Sequence, residues 1–215
     1  MSKKILYGII SSPPVRSVRI LAKALNLDLE FKTVNVFQKD NLKEDYLKIN
    51  PNHKIPSLDD NGFIVWDSHA IMMYLVDKYA TNDSFYPKDL QKRTKVHQIL
   101  FFDAEIFEKL RTIVILLYSG VSEIPTDKIE GVEDSYKSLN RLLQGNSYFT
   151  GNTVAICDIS LLSTLLSLDV LVPINSKEYP SIKAWLTRME DKDYIANVSG
   201  KKEITQLLTD LIKKK

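Results

Sequence analysis

A chain of 215 residues with 44% hydrophobic and 26% charged side chains has the composition of a globular protein with a real core, sized for one large domain or two small ones. Its formal net charge of +2 argues against a general nucleic-acid or membrane binder, and no apolar run reaches the length of a membrane span. A single cysteine, Cys157, excludes an intrachain disulfide and a multi-cysteine metal site, and the spacing of His53, His69 and His97 fits no zinc motif, so no metal is expected.

The first element is a buried strand at Ile5-Leu6-Tyr7. An apolar stripe at Val15, Val18, Ala22 and Leu25 follows with helical spacing. The hinge between them, Ser11-Ser12-Pro13-Pro14-Val15-Arg16, carries a helix-start signal: Ser12 can cap, and Pro13 then sits where a missing N–H costs nothing. Two readings of Ser12 stand. It caps the helix, or it faces outward at the positive end of the dipole, where an anion is favoured, because two prolines leave few N–H groups for its Oγ. Arg16 puts a cation in the first helical turn, which the dipole disfavours, and calls for a partner or a structural contact.

Residues 29–36 alternate and read as a second strand, and residues 41–48 as a short irregular helix. Asn50 to Lys54 is turn chemistry, and Ile55-Pro56-Ser57-Leu58-Asp59 begins a strand. Pro56 is either a cis proline, which would turn the backbone of Ile55 outward to pair with an extended ligand, or an ordinary edge-strand trans proline. Asp60-Asn61-Gly62 is a tight hairpin turn, residues 63–66 return, and Asp67-Ser68 caps a helix with Ile71, Leu75 and Tyr79 on one face. The sequence divides here: residues 1–80 form an α/β domain, 81–88 a linker, and 89–215 an all-helical domain. Its helices are expected over 89 to about 117, from Pro125 onward, over 156–169 in the middle of the domain, from Pro180 onward, and over 203–213. The N-terminus leads straight into a strand with no signal-peptide core, and with the cysteine usage this makes the cytoplasm the expected compartment.

Taken together, these pieces resemble the cytosolic glutathione transferases of the insect delta/epsilon type, the epsilon branch most closely. Ser12-Pro13-Pro14-Val15-Arg16 resembles the family's active-site motif, and Asn50-Pro51-Asn52-His53-Lys54-Ile55-Pro56 its Asn-Pro-x-His-x-Ile-Pro loop. Asp67-Ser68-His69-Ala70-Ile71, the Phe85-Tyr86-Pro87 link and the Tyr179-Pro180-Ser181-Ile182 helix with Trp185 and Arg188 match in order. The resemblance implies a thioredoxin-like N-terminal domain that binds glutathione, an all-helical C-terminal domain that contributes a hydrophobic substrate site, and a homodimer. It implies glutathione as co-substrate, its thiolate conjugated to small hydrophobic electrophiles in detoxification. Ser12 takes the place of the catalytic serine, donating a hydrogen bond to the sulfur, with Ser11 as its neighbouring competitor.

Asp67 and Ser68 match the site for the γ-glutamyl end, where Ser68 caps a helix whose N–H groups hold the carboxylate and Asp67 pairs with the ammonium. Ile55 and Pro56, with Lys54, match the strand-like clamp on the cysteinyl backbone, and His53 a position near the glycyl end. His69, Asn41 and Arg111 complete the expected glutathione set; Asn41 stands where the family often has histidine. Ile10, Phe37, Phe107, Leu110 and Tyr118 are expected to line the electrophile space. Ala155 stands where the family has Ser or Thr in a capping box with Asp158, so Ala155→Thr is expected to stabilise the protein, and Cys157 is expected to be a buried, inert thiol. The alternatives are a non-catalytic binding protein for glutathione or hydrophobic ligands, or an epsilon-type enzyme dedicated to a steroid precursor. A thiol–disulfide oxidoreductase would need a cysteine near the first helix, which the chain lacks.

Overall fold

A computed structural model describes residues 3–196, 198 and 200–213. Strand β1 (Lys4–Gly8) lies inside a four-stranded sheet of order β2-β1-β3-β4. It runs parallel to β2 (Glu30–Thr33) and antiparallel to β3 (Ser57–Asp60), which pairs antiparallel with β4 (Phe63–Trp66). The period-2 alternation of β1 divides its side chains between two cores. Leu6 joins Leu58 and the helices in the main core, whereas Ile5 and Tyr7 pack with Val34 and Tyr46 on the opposite face. The β-α-β then β-β-α order is a thioredoxin-like arrangement, followed by helices alone.

The second strand is shorter than its alternating pattern predicts. Asn35 accepts from the backbone N–H of Phe37 at 3.0 Å and donates its own N–H to Asp40 at 3.0 Å, so the chain turns after Thr33. A short 3₁₀ segment at Val36–Gln38, another at Asp40–Leu42 and the helical turn α2 (Glu44–Leu47) follow. The Ile55–Pro56 peptide is cis. At the hairpin, Asn61 and Gly62 both have positive φ, as a two-residue turn of this kind requires.

Helices α1 (Pro13–Ala24) and α3 (Ser68–Tyr79) cover one face of the sheet. Buried Asp60, at the end of β3, ties the sheet to α3: its Oδ2 accepts from Tyr74 Oη, Lys78 Nζ and Tyr79 Oη at 2.7, 2.7 and 2.6 Å. Burial alone would raise this carboxyl, but the bonds from Lys78, Tyr79 and Tyr74 outweigh it and hold it down to about 2.

The helical part contains α4 (Leu90–Tyr118), α5 (Thr126–Leu142), α6 (Ile156–Leu171), α7 (Pro180–Glu190), α8 (Asp193–Ala196) and α9 (Lys201–Lys213). The four-residue α8 has no counterpart in the sequence reading, being too short to show periodicity. Helix α6 is buried over nearly its whole length and packs on α4, α9 and α1, so it joins the two halves. Its start is held by Asp158, which accepts from the N–H groups of Ala155 (2.9 Å) and Phe149 (3.1 Å) and from Trp185 Nε1 (3.0 Å). Ala155 has no side-chain acceptor, so only half of a capping box exists. Cys157 is buried and its thiol is pushed well up by burial, which leaves it inert. Between α3 and α4, Tyr86 bonds His97 Nε2 through its hydroxyl at 2.7 Å, and the Arg93 guanidinium lies 4.0 Å over its ring.

Candidate active site

Two adjoining cavities open between the sheet domain and the helices. The smaller, of about 220 Å³, is lined by the ends of β4 and α3, the Lys54–Pro56 loop and one face of α4 and α6. The larger, of about 630 Å³, reaches from the Ser11-Ser12 hinge along α4 to α9. Pro13, Lys54, Ile55, Phe107 and Arg111 belong to both walls, so the two form one continuous groove.

Ser12 is the N-cap residue of α1 by backbone conformation, yet its side chain makes no capping bond. Among the described residues its Oγ has no hydrogen-bond partner, and it lines the larger cavity. Of the two readings of Ser12, the free, outward-facing hydroxyl is the one the geometry supports. Ser11 lines the same wall. Ile55 makes no backbone hydrogen bond among the described residues, and it lines both cavities. The neighbouring carbonyl of Lys54 is fixed instead by Tyr46 Oη (2.6 Å) and Asn50 Nδ2 (2.9 Å).

Asp67, not Ser68, caps α3. Its Oδ1 accepts from the N–H groups of His69 (3.0 Å) and Ala70 (3.2 Å), and its φ of +77° turns the chain sharply into the helix. Sequence alone could not divide the work of these neighbours, because both are good caps. The division leaves the Asp67 Oδ2 and the N–H and hydroxyl of Ser68 without partners among the described residues, at a helix N-terminus on the wall of the smaller cavity.

Three other predicted residues lie on the walls, each with a polar group already engaged by the protein. The His69 ring turns inward, its Nε2 2.9 Å from Ser160 Oγ and 3.2 Å from Asp103 Oδ2, while Ser160 also donates to Asp103. Arg111 lines both cavities, but its guanidinium is forked onto Glu108 at 2.8 and 2.6 Å, each raising the other's hold on its charged state. Asn41 lines the larger cavity and donates from Nδ2 to the His53 carbonyl at 2.7 Å, with its buried Oδ1 unpartnered. His53 lines the same wall, with Pro56 on the smaller one.

Phe37, Phe107, Leu110 and Tyr118 line the larger cavity, and Phe37 and Tyr118 stack across its mouth with ring centroids 4.8 Å apart. Ile10 does not line it: the wall is formed by Ile9, and Ile10 points toward the start of α9. The hinge after β1 breaks strand alternation, so the face taken by each residue there is a tertiary outcome. Ile204, Leu207 and Leu208 of α9 close the far side, and no local motif marks them. Asp103 was findable: with Phe107, Leu110, Val114 and Tyr118 it forms a helical stripe along α4.

A thioredoxin-like domain and the helices after it meet across a groove with unpartnered polar groups on one side and apolar side chains on the other. Comparison with known proteins assigns the family. The family model described as "Glutathione S-transferase, N-terminal domain" matches residues 6–83, and "Glutathione S-transferase, C-terminal domain" matches residues 110–193. The chain is 36% identical over 192 residues to "Glutathione S-transferase 1" of Manduca sexta, covering 87% of this chain and 88% of that one. It superposes on an epsilon-class glutathione S-transferase from the housefly, Musca domestica, with a TM-score of 0.93 and 38% identity, over 97% of this chain and 98% of the other. A glutathione transferase homologue from Drosophila mojavensis, solved with bound glutathione, matches with a TM-score of 0.92 and 38% identity over 100% and 98% of the two chains.

The chain belongs to the glutathione S-transferases, of the insect epsilon/delta type. It is a transferase that conjugates glutathione, its co-substrate. No described helix is long and apolar enough to cross a membrane.

Proposed function

We propose that Ser12 is the catalytic residue and that the two cavities divide the substrates, the smaller holding the γ-glutamyl end of glutathione and the larger a small hydrophobic electrophile. The observation that supports this is the Ser12 hydroxyl, seated at the start of α1 on the cavity wall without a partner among the described residues. A free thiol titrates near about 8.5, and only the thiolate attacks. A hydroxyl donor at the positive end of a helix stabilises the thiolate and lowers that value. Ser12 is thus an electrostatic stabiliser rather than a nucleophile. Ile55 pairs with the cysteinyl backbone, Ser68 receives the α-carboxylate and the free oxygen of Asp67 receives the α-ammonium. Asn41, His53 and Lys54 lie on the wall toward the glycyl carboxylate, with Lys54 supplying the charge.

Ser12→Ala tests the assignment. With a generic aromatic electrophile, kcat/KM is expected to fall roughly a hundredfold, the scale of one lost anion-stabilising donor. Binding of S-alkylated glutathione, which has no thiolate, should stay within about twofold of wild type, because uniform binding is untouched. Equal turnover in the two proteins would refute the role.

The same reading makes the protein a cytoplasmic detoxification enzyme that works as a homodimer, with a glutathione-binding domain over 1–80 joined by 81–88 to a helical domain over 89–215. Large apolar side chains left exposed on β4 and the first half of α4 support the dimer: Phe63, Trp66, Leu90 and Phe101, the last two 77% and 72% exposed. Sedimentation should give twice the chain mass, and Phe101→Glu should halve it.

A further inference from the structure

Helix α6 turns a row of buried hydroxyls toward α1 and the two cavities: Ser160, Ser163, Thr164 and Ser167. Serine and threonine inside a helix commonly donate to the carbonyl four residues back. Ser163 does so to Ile159 at 3.0 Å and Thr164 to Ser160 at 3.5 Å, while Ser160 donates to Asp103. Ser167 does not. The carbonyl it would use, that of Ser163, is taken by Arg16 Nη2, and the same nitrogen donates to Ser167 Oγ at 2.9 Å. Ser167 therefore accepts from a cation, and its own proton has no acceptor among the described residues. Ser167 lines the larger cavity, as Ser12 does.

Arg16 makes the arrangement stranger. Its side chain is fully buried, Nε and Nη1 have no partner, and no carboxylate pairs with it among the described residues. Burial pushes its pKa down to about 9, so it remains a cation at neutral pH. An isolated buried charge is costly unless opposite charge comes to it. In the resting protein its partners are a neutral carbonyl and a neutral hydroxyl. New negative charge comes with the reaction, as the thiolate beside Ser12, four residues or about 6 Å of helix axis away, and then as the charge displaced onto the electrophile.

We propose that Ser167, its hydroxyl polarised by Arg16, donates a hydrogen bond to the electrophile itself, holding the oxygen on which charge gathers as sulfur adds to carbon. The proposal rests on the placement of the electrophile in the larger cavity. It selects electrophiles whose attacked carbon is conjugated to an accepting oxygen, such as α,β-unsaturated carbonyl compounds. In the step, the sulfur lone pair forms the C–S bond and the C=C pair shifts, so that the carbonyl oxygen gains negative charge as an enolate. Ser167 bonds that oxygen without giving up its proton. Water then protonates the α-carbon, and the hydroxide formed is neutralised by the proton that glutathione released on ionising. A donor linked to a cation is stronger than a neutral one, and the dry wall of α9 raises its value further. Arg16 is a positioning residue, acting through Ser167.

The test compares wild type, Ser167→Ala and Ser167→Thr with two probes of equal chain length, a trans-2-alkenal and a 1-iodoalkane. The iodoalkane expels its charge on iodide and offers no oxygen to Ser167. Ser167→Ala should lower kcat/KM for the alkenal at least tenfold and change that for the iodoalkane less than twofold, with Ser167→Thr restoring the alkenal rate. Arg16→Gln should show the same selective loss; if it fails to fold, Ser167→Ala alone decides. A wild type active on both probes, with Ser167→Ala unchanged on both or equally reduced on both, overturns this role and leaves the transferase assignment standing. A wild type inactive on both probes removes this role and the larger-cavity reading with it.

Discussion

The two cavities are built by opposite means. The smaller is made largely from turns and helix starts, where backbone groups and short polar side chains remain open: Ile55, Asp67 and Ser68. The larger is walled mainly by the sides of helices far apart in the chain, Phe107 and Leu110 of α4 against Ile204 and Leu208 of α9. The first is polar because loops leave hydrogen-bonding groups without helical or sheet partners. The second is apolar because helices satisfy their own backbone and present only side chains. The contrast teaches why such a protein can keep one ligand constant and vary the other. On the proposed division of substrates, recognition of the peptide rests on fixed backbone geometry, and recognition of the electrophile on side chains that can change without disturbing the fold.

Substitutions can break that division. The largest effect is expected at Asp67, which both caps α3 and keeps one oxygen free. Asp67→Ala should weaken glutathione binding ten- to a hundredfold by titration calorimetry, and lost capping should cost about 1 kcal/mol besides. Undiminished affinity would separate the polar cavity from the γ-glutamyl end.

Next comes the clamp that steadies α3 behind that cavity. Asp60→Asn should cost about 2 kcal/mol, read from urea unfolding at neutral pH. The folded carboxyl is held down to about 2, below its ordinary value near 3.9. The wild type should therefore lose this contribution as pH falls from about 4 toward 2, and the variant should show a flatter decline there. A smaller and more selective effect is expected at the apolar wall: Leu208→Trp should raise the KM for a bulky electrophile about tenfold and leave glutathione affinity within twofold. A matched change in both constants would show that the cavities are not independent. The smallest effect is at α6. Ala155 is only 2% exposed, so Ser supplies the missing oxygen with less added volume than Thr, and Ala155→Ser should raise stability by about 1 kcal/mol.

How much of this was legible depended on sequence distance. The hinge at Ser11 to Arg16, the Asn61-Gly62 turn and the Asp67-Ser68 helix start are local chemistry, and each lies where its residues predict. Residues 29–36 show the limit of pattern: the alternation runs on, but the Asn35 side chain captures the backbone and ends the strand at Thr33. The site was legible where one segment supplied it and hidden where segments met. His69 reads as a ligand-facing residue until Asp103 and Ser160, from two other helices, take its ring. The Arg16 side chain reads as a cation in search of a partner, and only the packing of α1 on α6 shows that it receives two neutral acceptors and, among the described residues, no carboxylate.

The sequence by itself determined the order of elements, the split between an α/β and a helical half, the place of Ser12 at the start of α1 and the family these pieces belong to, because turns, caps and periodicity act over a few residues. Only the tertiary structure decided which isoleucine, Ile9 or Ile10, faces the cavity, that Asp67 rather than Ser68 caps α3, and that α9 closes the far wall. Those outcomes depend on which side chains compete for the same space or the same hydrogen bond once distant helices have met, and such competition leaves no trace in local pattern.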